Sequence, residues 1–206
     1  MARLNVNPTR MELKKLKARL DTAVRGHKLL KDKSDEMIRR FSVIIKENKR
    51  LRDEVEKELG ETLKQFSVAR SVTPAYQAET AFAMPSVAVS AECGTGSVMG
   101  VEVPALSVNQ TKRAEGLPYA FSEMTGEADY SVERAGALIP KMLKLAEVEK
   151  TVRMLAVEIE RNKRRVNALE YVMIPQLEET IKYIKSKLDE NERAAVIRLM
   201  KVKNKI

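Results

Sequence analysis

The stretch LKKLKARLDTAVRGHKLLKDKSDEMIRRFSVIIKENKRLRDEV, residues 13 to 55, decides the fold. In a seven-residue frame it sets Leu13, Leu20, His27, Ser34, Phe41, Asn48 and Val55 at one position, and Leu16, Ala23, Leu30, Met37, Ile44 and Leu51 at its partner position. An apolar seam repeated at spacings of three and four along so charged a segment predicts a coiled-coil helix. Beyond Val55 the apolar residues continue at Leu59, Leu63 and Phe66. That shift of spacing predicts a stutter, where the supercoil locally unwinds.

The same rhythm returns near the other end, in Leu145, Val148, Val152, Leu155, Ile159, Asn162, Val166, Leu169 and Met173, then Leu177, Ile181, Ile184, Leu188 and Ala195. Charge and turn residues divide the chain accordingly. Residues 1–66 hold 18 Lys/Arg and 11 Asp/Glu, residues 67–130 three and seven, and residues 131–206 17 and 11. Five of the eight glycines and four of the seven prolines fall in 67–130, where they break helices. The expected organisation is an N-terminal arm (1–66), a central region (67–130) and a C-terminal arm (131–206).

Neither arm can bury its stripe alone, and the central region is long enough to let the second arm fold back along the first. The expected fold is mainly α: a long antiparallel two-helix, left-handed coiled coil with a small central region containing a β-hairpin. At about 1.5 Å per residue, such an arm reaches about 100 Å. Asn48 and Asn162 fall on the seam, where a buried amide favours one register over its neighbours, and His27 is read in the same way. Folding back sets Pro175 across from residues 25–30, so Gly26 and Pro175 predict a local bend. In the centre, valines two apart in Val87, Val89, Val98, Val101 and Val103, with Gly94 and Gly96 between the runs, predict a hairpin near 86–103. Residues 72–84 and 120–126 are expected to be short helices or irregular chain.

Composition narrows the function. Charged residues are 33% and aromatics 4%, with no Trp, which suits a narrow helix seam better than a thick core. Cys93 is the single cysteine, so no internal disulfide can form. The N-terminus lacks the apolar run of a signal peptide and no segment approaches the roughly 18 apolar residues of a membrane span, which predicts a cytoplasmic chain without direct membrane insertion. His27 and Cys93 are the only soft metal ligands and lie on different segments, so no metal site is expected. Gly94, Gly96 and Gly100 miss the G-x-G-x-x-G spacing by one residue, and no Walker-type phosphate loop is present. No catalytic residue and no cofactor is expected.

The net charge of +9 arises from 38 basic against 29 acidic residues, without a basic block. The densest basic cluster is Arg161, Lys163, Arg164 and Arg165. Glu158, Glu160 and Glu170 close by, and the lack of interleaved aromatics, speak against nucleic acid. A solvated helix face or a contact with an acidic partner protein remains. From periodicity alone, a prefoldin-like coiled-coil chaperone or scaffold is the alternative class, disfavoured by the basic terminal stretches.

Four stretches, two in each arm, carry a resemblance. Asn5-Val6-Asn7-Pro8-Thr9-Arg10-Met11-Glu12-Leu13, followed by Arg25-Gly26-His27-Lys28-Leu29-Leu30-Lys31-Asp32-Lys33, resembles the N-terminal signature of the D subunit family of V-type and A-type ATPases (ATP synthases). Arg164-Arg165-Val166-Asn167-Ala168-Leu169-Glu170-Tyr171 and Ile174-Pro175-Gln176-Leu177-Glu178-Glu179-Thr180-Ile181 are similar to its C-terminal pattern. The resemblance covers both arms, while the centre matches only in kind. It implies a non-catalytic central rotor protein that couples ATP hydrolysis or synthesis to H⁺ or Na⁺ transport. The implied partners are a small F subunit, a hexamer of catalytic A and regulatory B subunits, and a funnel-shaped C (or d) subunit above the membrane ring, at the cytoplasmic face of the membrane. The end carrying both termini would enter the hexamer, making Arg10, Lys14, Lys201, Lys203 and Lys205 contact candidates, with Arg161, Arg164 and Arg165 nearer its lower mouth.

Overall fold

The computed structural model of the chain describes residues 3–83, 87–112, 119 and 124–204. Helix α1 runs from Arg10 to Val72 and a short α2 from Ala75 to Ala81. Strands β1 (Val87–Val98) and β2 (Val101–Lys112) form an antiparallel pair. Helix α3 (Gly126–Ala168) passes through a π-helical turn at Leu169–Met173 into α4 (Ile174–Lys203). Two compact units result, Met1–Ile38 with Ile159–Ile206 (the terminal unit) and Arg39–Glu158 (the central unit). Of the two stretches expected to be short helices or irregular, residue 84 and residues 120–123 lie outside the described residues, as does residue 86 at the start of the expected hairpin.

In the terminal unit α1 and α4 pair antiparallel around Leu16, Ala23, Leu177 and Ile184, all buried, with Leu13, Leu20, Ile174, Ile181 and Leu188 packed against them. Burying each such leucine or isoleucine is worth about 2 kcal/mol, which neither helix could gain in isolation. Polar contacts mark the antiparallel register: Arg10 pairs with Glu192 and, further along α1, His27 Nε2 lies 3.3 Å from the Glu170 carboxylate. Thr9 starts α1, its hydroxyl accepting the Glu12 N–H at 3.2 Å. Ahead of it, the Leu4 N–H donates to Thr180 Oγ1 at 3.2 Å, and the Thr180 hydroxyl in turn donates to the Gln176 carbonyl at 2.6 Å. Thr180 is 1% exposed, so both hydrogen-bonding roles of its hydroxyl are met inside the seam.

Every residue expected on the α1 seam from Leu13 to Val55 is buried or half-buried. Past Val55 the structure departs from the expected stutter. Val55, Thr62 and Ala69 are buried at an unbroken seven-residue spacing, whereas Leu63 is 54% exposed. Apolarity alone picks leucine over threonine, but the Thr62 hydroxyl donates to the Glu58 carbonyl at 2.8 Å, and once satisfied it buries at little cost.

The second arm departs at Met173, 39% exposed. The π-helical turn carries the Ile174 N–H to the Leu169 carbonyl, five residues back, so the inward position moves from residue 173 to Ile174. Pro175 explains the turn, because it has no N–H and its ring crowds the carbonyl four residues before it. The irregularity sits on this helix, while α1 stays helical through Gly26, where an added Cβ would meet nothing within 4 Å. Ala195, also expected on the seam, is exposed, since α1 begins at Arg10 opposite Glu192 and α4 continues beyond that point.

In the central unit, Arg52 pairs with Glu149, and Lys141 bridges Glu54 at 3.0 Å and Glu58 at 2.5 Å, so α1 and α3 are again antiparallel. The Lys141 hydrogen bond and charge hold the Glu54 carboxyl below the usual carboxylate range; Glu58 and then Glu54 raise Lys141. This bridge therefore contributes above the ordinary carboxylate pKa and is lost as pH falls through the lowered Glu54 value. Phe66, Phe82 and Tyr119 stack edge to face with ring centroids 5.4 and 5.8 Å apart, and the Tyr119 hydroxyl donates to Asp129 at 2.7 Å. Burial first, then that bond, raises the phenol pKa.

The hairpin turns at Met99 (φ 54°) and Gly100 (φ 80°), later than the glycines at 94 and 96 suggested. Two consecutive positive φ values make the tight turn that matches strand twist. It aligns Val98 with Val101 and Gly96 with Val103. Gly96 instead serves inside β1, where Val103 Cγ2 lies 3.5 Å from the place its Cβ would take.

Two stability changes follow from these positions. Gly26→Ala fills open space on a helix and should raise the free energy of unfolding by about 0.5–1 kcal/mol, read from denaturant titration. Met99→Asn, which accepts a positive φ more readily than methionine, should slow amide exchange along the β1–β2 ladder without changing helicity.

Candidate functional site

All the basic residues expected to meet a partner belong to the terminal unit. Arg10 is exposed and paired with Glu192, and Lys14 is exposed. Lys201 and Lys203 close the last turn of α4, and Lys205 lies outside the described residues. On α3 and its end, Arg161, Arg164 and Arg165 are exposed. Arg164 pairs with Glu160 one turn earlier, and Arg165 reaches Asn162 Oδ1 at 3.5 Å.

The register residues divide between the units. Asn162 is 2% exposed and its amide donates to Met37 Sδ at 3.4 Å, a polar contact buried within the seam of the terminal unit. His27, half-buried against Glu170, lies in the same unit. Asn48 is half-buried in the central unit. Sequence reasoning missed Thr62 and Thr180 as seam members; their heptad spacing to Val55 and to Leu177 and Ile184 was the available signal, and their hydroxyls hid it.

Charge is distributed unevenly between the units. The terminal unit holds 22 Lys/Arg and 12 Asp/Glu, a net +10, and the central unit 16 and 17, a net −1. The last turns of α4 add exposed Val196, Ile197, Leu199, Met200 and Val202 beside Arg193, Arg198, Lys201 and Lys203. Such a surface can take an acidic or mixed partner and keep an apolar footing within it. Among the described residues, no group of three or more His, Cys, Asp or Glu could hold a metal ion, and no helix is long and apolar enough to cross a membrane.

The family model for the ATP synthase D subunit matches residues 12–204. The V-type ATP synthase D subunit of Thermoanaerobacter sp. (strain X514) is 50% identical over 206 residues, covering 100% of this chain and 99% of that protein. The protein of the same name from Clostridium botulinum (strain Alaska E43 / Type E3) is 51% identical over 209 residues, covering 100% and 98%, and that of Clostridium novyi (strain NT) is 50% identical over 206 residues, covering 98% and 95%. With the family model matching nearly the whole chain and relatives about 50% identical over their full length, the chain belongs to the family of ATP synthase D subunits.

Proposed function

We propose that this chain is the non-catalytic central-stalk component of a V-type rotary ATPase, transmitting torque between ATP turnover in a catalytic hexamer and ion transport in a membrane ring. The observation that carries the reading is the charge asymmetry: the unit holding both chain ends has a net +10 and the central unit −1, with the apolar seam of each turned inward. A shaft element must turn without sticking, which a mixed-charge exterior over a largely hidden seam favours along most of its length, while the exposed apolar residues of the last turns of α4 give its tip a footing. Two unlike helices also offer different side chains to each of three neighbouring catalytic sites and so bias their affinities unequally.

In this reading the N-terminal arm (1–66) and the C-terminal arm (131–206) form the shaft, and the terminal unit enters a hexamer of catalytic A and regulatory B subunits. Arg10, Lys14, Lys201, Lys203 and Lys205 meet its bore, and Arg161, Arg164 and Arg165 lie nearer its mouth. The lower part of the coiled coil binds a small F subunit, and the end of the shaft away from the chain termini rests on a funnel-shaped protein above the membrane ring, at the cytoplasmic face of the membrane. The buried Asn162 and the His27–Glu170 pair keep the two helices from slipping under load. The hairpin is a regulatory or partner contact.

Changing Arg161, Arg164 and Arg165 together to Gln should weaken incorporation into the complex by about tenfold or more and lower ion pumping per ATP hydrolysed, with helicity unchanged. Unchanged assembly and coupling would remove these arginines from the interface. Replacing Val87–Lys112 by a short linker should alter the hydrolysis rate of the assembled complex while leaving the thermal transition of the helices in place; an unaltered rate would argue against a regulatory hairpin.

A further inference from the structure

Helix α3 contains a proline at its interior, Pro140, and the helix continues through it. In a regular helix the N–H of residue 140 would donate to the carbonyl of residue 136. Proline has no such hydrogen, and its ring pushes that carbonyl outward, so Gly136 is left with an acceptor that the helix itself does not fill. The structure fills it from another element: Gln110 Nε2 on β2 donates to the Gly136 carbonyl oxygen at 3.1 Å. On the neighbouring strand, Val87 Cγ2 lies 3.7 Å from where a Cβ on Gly136 would sit, which is van der Waals contact. The strand register pairs Val87 with Lys112 and Val89 with Gln110, so Val87 and Gln110 project from one face at the base of the hairpin.

We propose that Pro140 and Gln110 form a latch: the proline releases the Gly136 carbonyl so that it can hold the base of the β1–β2 ribbon against α3, and loss of either partner frees the ribbon. The residue that weakens the helix is thus the one that gives the ribbon its seat. A two-stranded ribbon in water is marginal without something to pack on, so its order depends on this docking. Further out, β1 is exposed at every residue from Ala91 to Thr95, leaving that stretch accessible to a partner while the base stays fixed. The latch is a property of this chain alone and holds or fails whatever the chain assembles with.

The test is hydrogen–deuterium exchange on the full-length chain, read over Val87–Lys112, with circular dichroism to follow helicity and the melting temperature. Gln110→Ala should speed exchange in the ribbon about two- to fivefold, the factor one solvent-accessible hydrogen bond is worth. Pro140→Ala should raise the melting temperature of the helices and yet speed ribbon exchange by a similar factor, because alanine's N–H now takes the Gly136 carbonyl back into the helix. In the double variant Gln110→Ala should add nothing further. Unchanged or slower ribbon exchange in Pro140→Ala, unchanged exchange in Gln110→Ala, or effects that multiply in the double variant as independent sites do, would each overturn the latch.

Discussion

The structure depends on an apolar stripe too narrow to fold upon itself. Leu16, Ala23, Leu177 and Ile184 are buried because each lies against the other helix of the antiparallel pair, and a helix of this charge density standing alone would leave them wet. Pairing helix on helix then determines which polar residues can join them. Asn162 donates to Met37 Sδ, and Thr180 both accepts from Leu4 and donates to Gln176, so each enters the seam with its hydrogen bonding met. An apolar side chain in their place would bury as well, but it would slide along the facing leucines more easily.

Two prolines interrupt the second half of the helical chain, and the structure accommodates them differently. At Pro175 the helix widens into a π turn, which restores backbone bonding within the helix and advances the inward position from residue 173 to Ile174. At Pro140 the helix continues and the stranded carbonyl of Gly136 is met by Gln110 from the hairpin. In the first case the disturbance is absorbed locally; in the second it becomes the attachment point of another element. The difference follows from what lies nearby, since Gln110 and Val87 reach Gly136.

Charge carries the functional reading further than any pocket does. Every basic residue singled out as a partner contact falls in the unit that holds both ends of the chain, and that unit accounts for the whole net positive charge. The ion pairs within each unit, such as Lys141 with Glu54 and Glu58, are solvated and screened, so they tune pairing of the helices more than they stabilise it. The apolar seam supplies the stability.

The sequence by itself determined the class of fold, the two helical arms, the presence of a hairpin and the family, because heptad spacing and alternation record directly which face each segment must bury. It determined the seam of α1 from Leu13 to Val55 residue by residue. Only the tertiary structure decided that Thr62 and Thr180 are buried while Leu63 and Met173 face water, that the hairpin turns at Met99 and Gly100, and that Gln110 meets Gly136. The physical reason is common to all of these. Whether a hydroxyl, an extra residue in a turn or an orphaned carbonyl can be tolerated depends on a hydrogen-bond partner or a packing neighbour, and periodicity along one chain does not record where those partners are.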